Sequence, residues 1–161
     1  MTITVPAPVE KLTARMHRWL YRRTGGTFGG TVGRTKRPVA LLTTTGRRSG
    51  KPREWPLLCL ADGDRHVVVA SNAGRDHHPA WLLNLRANPR ATLQIGPDRL
   101  DVLARVATPA EADELWPRLH AMYSGYADYQ AGTDRDLPVV ILESTINPDR
   151  PSHNPASPSV E

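Results

Sequence analysis

The sequence has one cysteine, one phenylalanine and no apolar run that approaches the roughly 20 residues of a membrane-spanning helix. Because Cys59 has no partner, no intrachain disulfide can form, and its apolar neighbours favour a small buried side chain. Residues 1–10 lack the charged start and the apolar centre of a signal peptide. These absences predict a cytoplasmic protein. A length of 161 residues fits one domain with a single core.

Acidic residues are missing between Lys11 and Arg53, whereas twelve of the 21 Lys and Arg residues lie in that stretch. The remainder of the chain is net acidic. An ordinary solvated surface mixes both signs of charge. The asymmetry therefore indicates an anionic partner, which could be a nucleic acid, an anionic membrane surface or a polyanionic small molecule.

Apolar residues near the N-terminus recur at helical spacing, with cationic residues on the other faces. They are Val9, Leu12, Met16, Trp19 and Leu20. The pattern predicts a basic amphipathic helix within residues 1–23, which would make a peripheral membrane contact or dock on its own domain. We expect a folded domain over residues 24–143. The proline-rich residues 144–161 are expected to form a disordered tail.

Six strands are predicted within the folded domain. Their ranges are 39–45, 55–60, 66–71, 91–95, 100–107 and 138–143. Asp62-Gly63 and Gly96-Pro97 mark two hairpins. A short helix is predicted over 80–87, and a longer one begins at the Thr108 capping box and should kink at Pro117. This order predicts a mainly β, α+β fold with a small antiparallel barrel.

The first strand ends in three threonines and a basic turn, Gly46-Arg47-Arg48-Ser49-Gly50, followed by Lys51 and Arg53. Backbone N–H groups, one hydroxyl and several cations would converge there, which suits a phosphate. The glycine patterns of a P-loop and of a dinucleotide-binding fold are both absent. A basic surface hairpin is an equally good interpretation of this stretch alone.

Two further stretches are candidates for a ligand site, because each would bring several polar groups together. Ser71 to His78 forms a polar loop after a central strand. Tyr123, Tyr126 and Tyr129 recur at a spacing of three and, if helical, would form one stripe with converging hydroxyls. A phosphate at the basic turn and a ring system between these two stretches would describe a flavin-like cofactor.

Hydrolytic and metal chemistry find less support in the sequence. Asp76, His77 and His78 do not have the spacing of a metal site, so we predict none. Gly-x-Ser-x-Gly, the pattern of a hydrolase nucleophile, does not occur.

Four motifs together carry a resemblance to a known family. They are Leu41–Gly50, Val69–Gly74, His78–Trp81 with Asn84-Leu85 and Asn88-Pro89, and Tyr123–Tyr129 with Thr133–Arg135. In this order and spacing they resemble the deazaflavin-dependent nitroreductase family, over roughly residues 18–143. The resemblance implies a split β-barrel like those of flavin-binding oxidoreductases. It also implies coenzyme F420, whose phosphate and oligoglutamate tail match the expected polyanion.

The resemblance also implies a role for each motif. The phosphate and tail would be held by Arg47, Arg48, Ser49 and Arg53. The deazaflavin ring would be lined by Pro56, Val69, Ser71, Asn72, Ala73, Gly74 and Asn84. The substrate side would be shaped by Tyr123, Tyr126, Tyr129, Trp81 and Trp55. Trp55, after Glu54, stands where the family more often has small or β-branched residues, and it would narrow the pocket.

The implied reaction is hydride transfer from reduced F420 to a quinone-like, nitroaromatic or activated-alkene acceptor. Tyr126, Tyr123 or Ser71 would donate a hydrogen bond to the acceptor oxygen. The alternatives are an FMN-dependent oxidoreductase of the same fold, a non-catalytic cofactor or lipid carrier, and a nucleic-acid-binding protein. The last alternative gives the tyrosines no role, so we expect no nucleic acid. We expect a monomer or a weak homodimer.

Overall fold

A computed structural model describes residues 38–145, which form seven strands and three α-helices. The strands are β1 Val39–Thr45, β2 Pro52–Leu58, β3 Leu60–Asp62, β4 Arg65–Val69, β5 Arg90–Ile95, β6 Asp98–Val106 and β7 Val139–Ser144. The helices are α1 Ala80–Ala87, α2 Pro109–Met122 and α3 Gly125–Ala131, and a single 3₁₀ turn covers Asn72–Gly74. The predicted N-terminal helix and nearly all of the predicted tail lie outside the described residues.

All seven strands pair antiparallel in the order β2-β1-β5-β6-β7-β4-β3. The two edge strands, β2 and β3, are separated in the chain only by Cys59. The sheet must therefore curl until its edges approach each other, which makes it a split barrel. This confirms the predicted fold class.

The seventh strand arises because the predicted strand over 55–60 is interrupted. Leu58 still pairs with Val39, but Cys59 donates its N–H to the Pro38 carbonyl (3.1 Å) and Leu60 pairs with Val67. Cys59 is 5% exposed, and burial raises the pKa of its thiol to about 12. The thiol is therefore neutral and packs as a small apolar group.

Strand β4 separates two buried clusters, as its apolar sequence predicts. Val68 and Ala70 face a cluster on one side together with Trp81 and Leu82 of α1. The alternate residues face a second cluster on the other side, where α2 and α3 pack. Because both faces of β4 are covered, the loop that follows it is held at a fixed position in the barrel.

Helix α1 has the predicted bounds, and α2 begins with the predicted capping box between Thr108 and Glu111. Pro117 lies inside α2, which continues to Met122. The chain then leaves the helix at Tyr123, whose φ is −149° and ψ is 101°, before α3 begins. The tyrosine motif therefore spans a helix break. Among the described helices, none is long and apolar enough to cross a membrane.

Candidate active site

A cleft of about 810 Å³ lies beside the loop that joins β1 to β2, and we call it the anion cleft. It is lined by Gly46, Arg47, Arg48, Ser49, Pro52, Arg53, Glu54, Trp55, Ala80 and Asn84. Three of these residues carry a guanidinium group and one carries a carboxylate. The three arginines are exposed, so the cleft presents a net positive surface, as the basic turn predicts.

The backbone of this loop does not supply the converging N–H groups that the sequence predicted. Five of the six N–H groups from Gly46 to Lys51 are already donated within the protein. Ser49 and Gly50, for example, both donate to the Gly46 carbonyl, at 3.2 and 2.7 Å. That prediction was wrong because the tight turn uses its own donors. Side chains are therefore the main donors available to an anion.

Asn84 of α1 connects the loop to the barrel. It is 3% exposed, and its amide nitrogen donates to Thr44 Oγ1 over 3.1 Å. Its carbonyl oxygen accepts from the Arg47 backbone N–H at 3.2 Å and from Arg47 Nη1 at 3.4 Å. One buried amide thus fixes α1, β1 and the loop relative to one another. Contact between Asn84 and a deazaflavin ring stays a prediction.

Replacing Asn84 with alanine should destabilise both the fold and the loop. Thr44 Oγ1 and the Arg47 N–H would lose their amide partner, and we expect the free energy of unfolding to fall by about 2 kcal/mol. Asn88→Ala is the matched control, because the side-chain carbonyl oxygen of Asn88 accepts an exposed hydrogen bond from the Arg90 backbone N–H (3.1 Å). Chemical denaturation measures both variants, and equal losses would contradict this role for Asn84.

Two further pockets continue from the anion cleft. The middle pocket, of about 320 Å³, shares Trp55 and Ala80 with the cleft. The tyrosine pocket, of about 270 Å³, is lined by all three clustered tyrosines. The middle and tyrosine pockets have five residues in common. They are Pro56, Leu57, Val69, Ser71 and Ala73. The three spaces therefore adjoin one another in an order that leads from the cations to the tyrosines.

The tyrosines meet across the helix break rather than along one helix, which corrects the predicted stripe. The ring centroid of Tyr126 lies 5.0 Å from that of Tyr123 and 6.4 Å from that of Tyr129. The hydroxyls of Tyr123 and Tyr129 are hydrogen-bonded at 2.8 Å. Tyr126 is 4% exposed, and burial is the main cause that raises the pKa of its phenol above the ordinary range. The phenol therefore stays protonated at neutral pH.

The Ser71 loop has an unusual backbone. Asn72 and Ala73 have φ of 48° and 53°, a left-handed conformation that is uncommon outside glycine, and Gly74 follows with φ 73°. A Cβ atom on Gly74 would lie 3.1 Å from both Cα and the carbonyl oxygen of Tyr129. The loop and α3 therefore approach each other closely, and this contact joins the Ser71 side of the tyrosine pocket to its aromatic side.

Gly74→Ala should disturb the tyrosine pocket as well as the backbone. Gly63→Ala is a matched control, because Gly63 has φ 64° but an added Cβ would have open space around it. We expect the control to destabilise the fold by about 1 kcal/mol through backbone strain alone. Gly74→Ala should lower the free energy of unfolding by more than the control does. It should also change the near-ultraviolet circular dichroism of the tyrosines. Identical behaviour of the two variants would contradict a tight contact with Tyr129.

The two tryptophans predicted on the substrate side occupy different positions. Trp81 is 3% exposed and belongs to the barrel core, although it also lines the middle pocket. Trp55 lies between the anion cleft and the middle pocket. Its indole Nε1 is buried and has no hydrogen-bond partner among residues 38–145. Ala80 lines both the anion cleft and the middle pocket. Ala80 and Arg135 both lie in the resemblance motifs, but neither had a predicted role.

Within the described part of the chain, no group of three or more His, Cys, Asp or Glu side chains could hold a metal ion. The site thus consists of a cationic cleft, an apolar middle pocket and an aromatic pocket on a split barrel. These features fit the class of split-barrel proteins that hold a phosphorylated, flavin-like cofactor.

Within that class, the chain belongs to the F420H(2)-dependent quinone reductase family, whose model matches residues 13–144. F420H(2)-dependent quinone reductase Rv1261c of Mycobacterium tuberculosis is 37% identical over 131 residues, which cover 80% of this chain and 87% of the relative. Rv3178 of the same organism is named for the same activity and is 42% identical over 105 residues, which cover 65% of this chain and 88% of the relative.

Two solved structures are also similar. F420-H2 dependent reductase FDR-A is 41% identical, with a TM-score of 0.62 over 66% of this chain and 95% of that chain. A protein described as a domain-swapped dimer is 37% identical, with a TM-score of 0.64 over 85% of this chain and all of that chain (100%). The prediction of an F420-dependent oxidoreductase family is therefore confirmed, and so is the predicted split barrel.

Proposed function

We propose that this protein transfers a hydride from reduced coenzyme F420 to a quinone-like acceptor. The observation that carries the proposal is the series of adjoining pockets that leads from the anion cleft, past the middle pocket, to the tyrosine pocket. Such a series would place a polyanion at one end and a planar acceptor at the other. A basic hairpin with no ligand role would not account for the tyrosine-lined pocket nearby.

The described residues fit this cofactor. Exposed arginines suit a phosphate and an acidic tail, and apolar walls in the middle pocket suit a flat ring. The buried Trp55 Nε1 between them is a donor whose desolvation a ligand oxygen would offset. When bound, reduced F420 supplies the hydride.

The protein would then contribute position and electrostatics. Arg47, Arg48 and Arg53, with the Ser49 hydroxyl, would hold the phosphate and tail. The Arg53 guanidinium already donates to Ser49 Oγ over 3.4 Å, which brings these two groups together without a ligand. Because five of the six backbone donors of the turn are occupied, we assign the charge recognition to the guanidinium groups.

The ring would lie against Pro56, Val69 and the loop from Ser71 to Gly74. At the far end, the acceptor would meet Tyr123, Tyr126 and Tyr129. A protonated phenol or the Ser71 hydroxyl would donate to the acceptor oxygen as negative charge develops on it. The apolar surround strengthens that interaction by excluding water.

A quinone is favoured by the family and by the names of the relatives. A nitro group or an activated alkene conjugated to a carbonyl presents similar planar oxygen acceptors, so we keep nitroaromatics and such alkenes as further candidate substrates. The predicted membrane contact concerns residues 1–23, which the structure does not describe, and it stays a prediction. The same holds for cytoplasmic localisation and for a monomer or weak homodimer.

Ligand titration tests the proposal. Purified protein is offered F420, FMN and heme separately, and binding is followed by absorbance. We expect binding of F420 and, with its reduced form, turnover of a soluble naphthoquinone. Tight binding of FMN with none of F420 would overturn the proposal in favour of an FMN enzyme. F420 binding without turnover of any acceptor would instead indicate a cofactor carrier.

A further inference from the structure

The Arg135 side chain contacts the loop that follows β4. Its Nε donates to the Arg75 carbonyl at 2.7 Å, its Nη2 to the Ser71 carbonyl at 2.6 Å and its Nη1 to the Ala70 carbonyl at 3.2 Å. Nη1 also lies 3.4 Å from Nδ1 of His78. One half-buried guanidinium thus bonds to the first and last residues of the Ser71–Arg75 segment, which carries the left-handed residues.

Apart from Arg135, the segment is held by the close approach of Gly74 to Tyr129 and by a hydrogen bond from Asn72 Nδ2 to the His77 carbonyl at 3.0 Å. Its internal backbone bonds are Gly74 N–H to the Ser71 carbonyl and Arg75 N–H to the Asn72 carbonyl, at 3.0 and 3.2 Å. Asn72 and Ala73 both hold a left-handed conformation that persists only where the surroundings impose it. An external set of donors aimed at the carbonyls of the segment is the kind of constraint that such a backbone needs.

We propose that Arg135 is a positioning residue that fixes the Ser71–Arg75 segment in the shape that the ring end of the cofactor requires. The segment lines the middle pocket, and Ser71 and Ala73 also line the tyrosine pocket. The proposal rests on the proposed function for the identity of the ligand. The clamping of the backbone itself rests only on the contacts of Arg135.

The geometry depends on arginine rather than on positive charge alone. The three carbonyls are reached by three different nitrogens of one planar fork, which a single ammonium group cannot reproduce. Thr133 supports the arrangement, because its Oγ1 accepts from the Arg135 backbone N–H (3.4 Å) and donates to Asp76 Oδ1 (3.2 Å). Hydrogen bonds therefore position both the backbone of Arg135 and its guanidinium group.

Burial and the positive charges of Arg86 and Arg135 lower the pKa of His78. A neutral His78 ring can accept from Arg135 at neutral pH, so the contact at Nδ1 is compatible with the cationic guanidinium. Asp76, which also faces this region, interacts favourably with Arg135.

Amide hydrogen exchange of the ligand-free protein tests the clamp. Arg135→Lys is expected to raise exchange at Gly74 and Arg75 by about tenfold or more, while the amides of the β5–β6 hairpin stay unchanged. Arg118→Lys is the matched control, because that guanidinium also donates to a backbone carbonyl, that of Ala61 (2.9 Å), but at another turn. Thr133→Ala is a milder second variant, expected to give a smaller rise in the same segment.

Binding measurements show whether Arg135→Lys affects the ring end or the tail end of the site. Arg135→Lys should weaken binding of F420 and of its tail-less deazaflavin riboside by the same factor, about tenfold, because the segment faces the ring end. The control should bind both ligands as the unmodified protein does. An unchanged exchange rate in both Arg135→Lys and Thr133→Ala would overturn the clamp. So would F420 affinity that falls while affinity for the riboside is retained.

The two proposals can fail separately. If the unmodified protein binds neither F420 nor the riboside, the proposed function fails, while the exchange experiment still decides whether Arg135 holds the segment. If the unmodified protein binds F420 and Arg135→Lys binds it equally well, the proposed function stands and the positioning role is wrong.

Discussion

Replacing Arg48 and Arg53 together with glutamine is expected to weaken binding of F420 by about 100-fold or more. Both side chains are exposed and line the anion cleft, so each would meet a phosphate or tail carboxylate in partly solvated surroundings. Loss of one such charge-assisted bond corresponds to roughly tenfold in affinity, and the two losses multiply if they are independent. Titration of the variant with F420, followed by absorbance, measures the effect.

The control for this double variant is Arg90→Gln with Arg99→Gln. It removes the same charge from exposed positions that do not line the anion cleft. It should leave the affinity for F420 within a factor of about two to three, because long-range electrostatics are screened at physiological salt. The tail-less riboside should bind both double variants equally well. An equal loss for the riboside in the cleft variant would place the arginines at the ring instead of the tail.

Local chemistry made several parts of this fold predictable. The Asp62-Gly63 turn, the capping box at Thr108 and the bounds of α1 each follow from a few adjacent residues. The burial of both faces of β4 follows from an apolar run that has no polar face, although the strand lies next to the edge strand β3 and not at the centre of the sheet as predicted. In each case the interaction that decides the structure lies within a few positions along the chain.

Other features depend on contacts between distant residues and were not predicted. The interruption at Cys59 arises because the barrel edges meet there. The hydrogen bonds of Asn84 with Thr44 and Arg47 join residues that are 37 to 40 positions apart. The Arg135 contacts span about 60 positions, so its motif was visible in the sequence while its partners were not.

The basic turn shows how far sequence evidence reaches for the site. Its charge and its place after β1 indicated an anion site, and the structure adds a cleft there. The choice between backbone and side-chain donors needed the hydrogen bonds of the turn itself. Family membership then identifies the class of anion, which neither charge nor geometry could do alone.

The second large effect concerns turnover. Among Tyr126→Phe, Tyr123→Phe and Ser71→Ala, the variant that loses the donor engaged with the acceptor should lower kcat by roughly 10²–10³. Each change removes one hydroxyl and leaves the pocket walls in place, so thermal stability should change little. Steady-state kinetics with a naphthoquinone and with a nitroaromatic acceptor measure the loss. Thr92→Ala, which removes a hydroxyl on β5 outside the tyrosine pocket, should leave kcat unchanged.

The environment of Tyr126 sharpens this prediction. Burial and the neighbouring tyrosines raise the pKa of its phenol, so it donates throughout the neutral and mildly alkaline range. If Tyr126 is the engaged donor, kcat should show no alkaline fall caused by its ionisation below about pH 10. Tyr123 differs, because its hydroxyl is hydrogen-bonded to that of Tyr129. If Tyr123 is the engaged donor, Tyr129→Phe should also change kcat. Turnover that is unchanged in all three hydroxyl variants, with both acceptors, would contradict the donor role and would show that the tyrosines only shape the pocket.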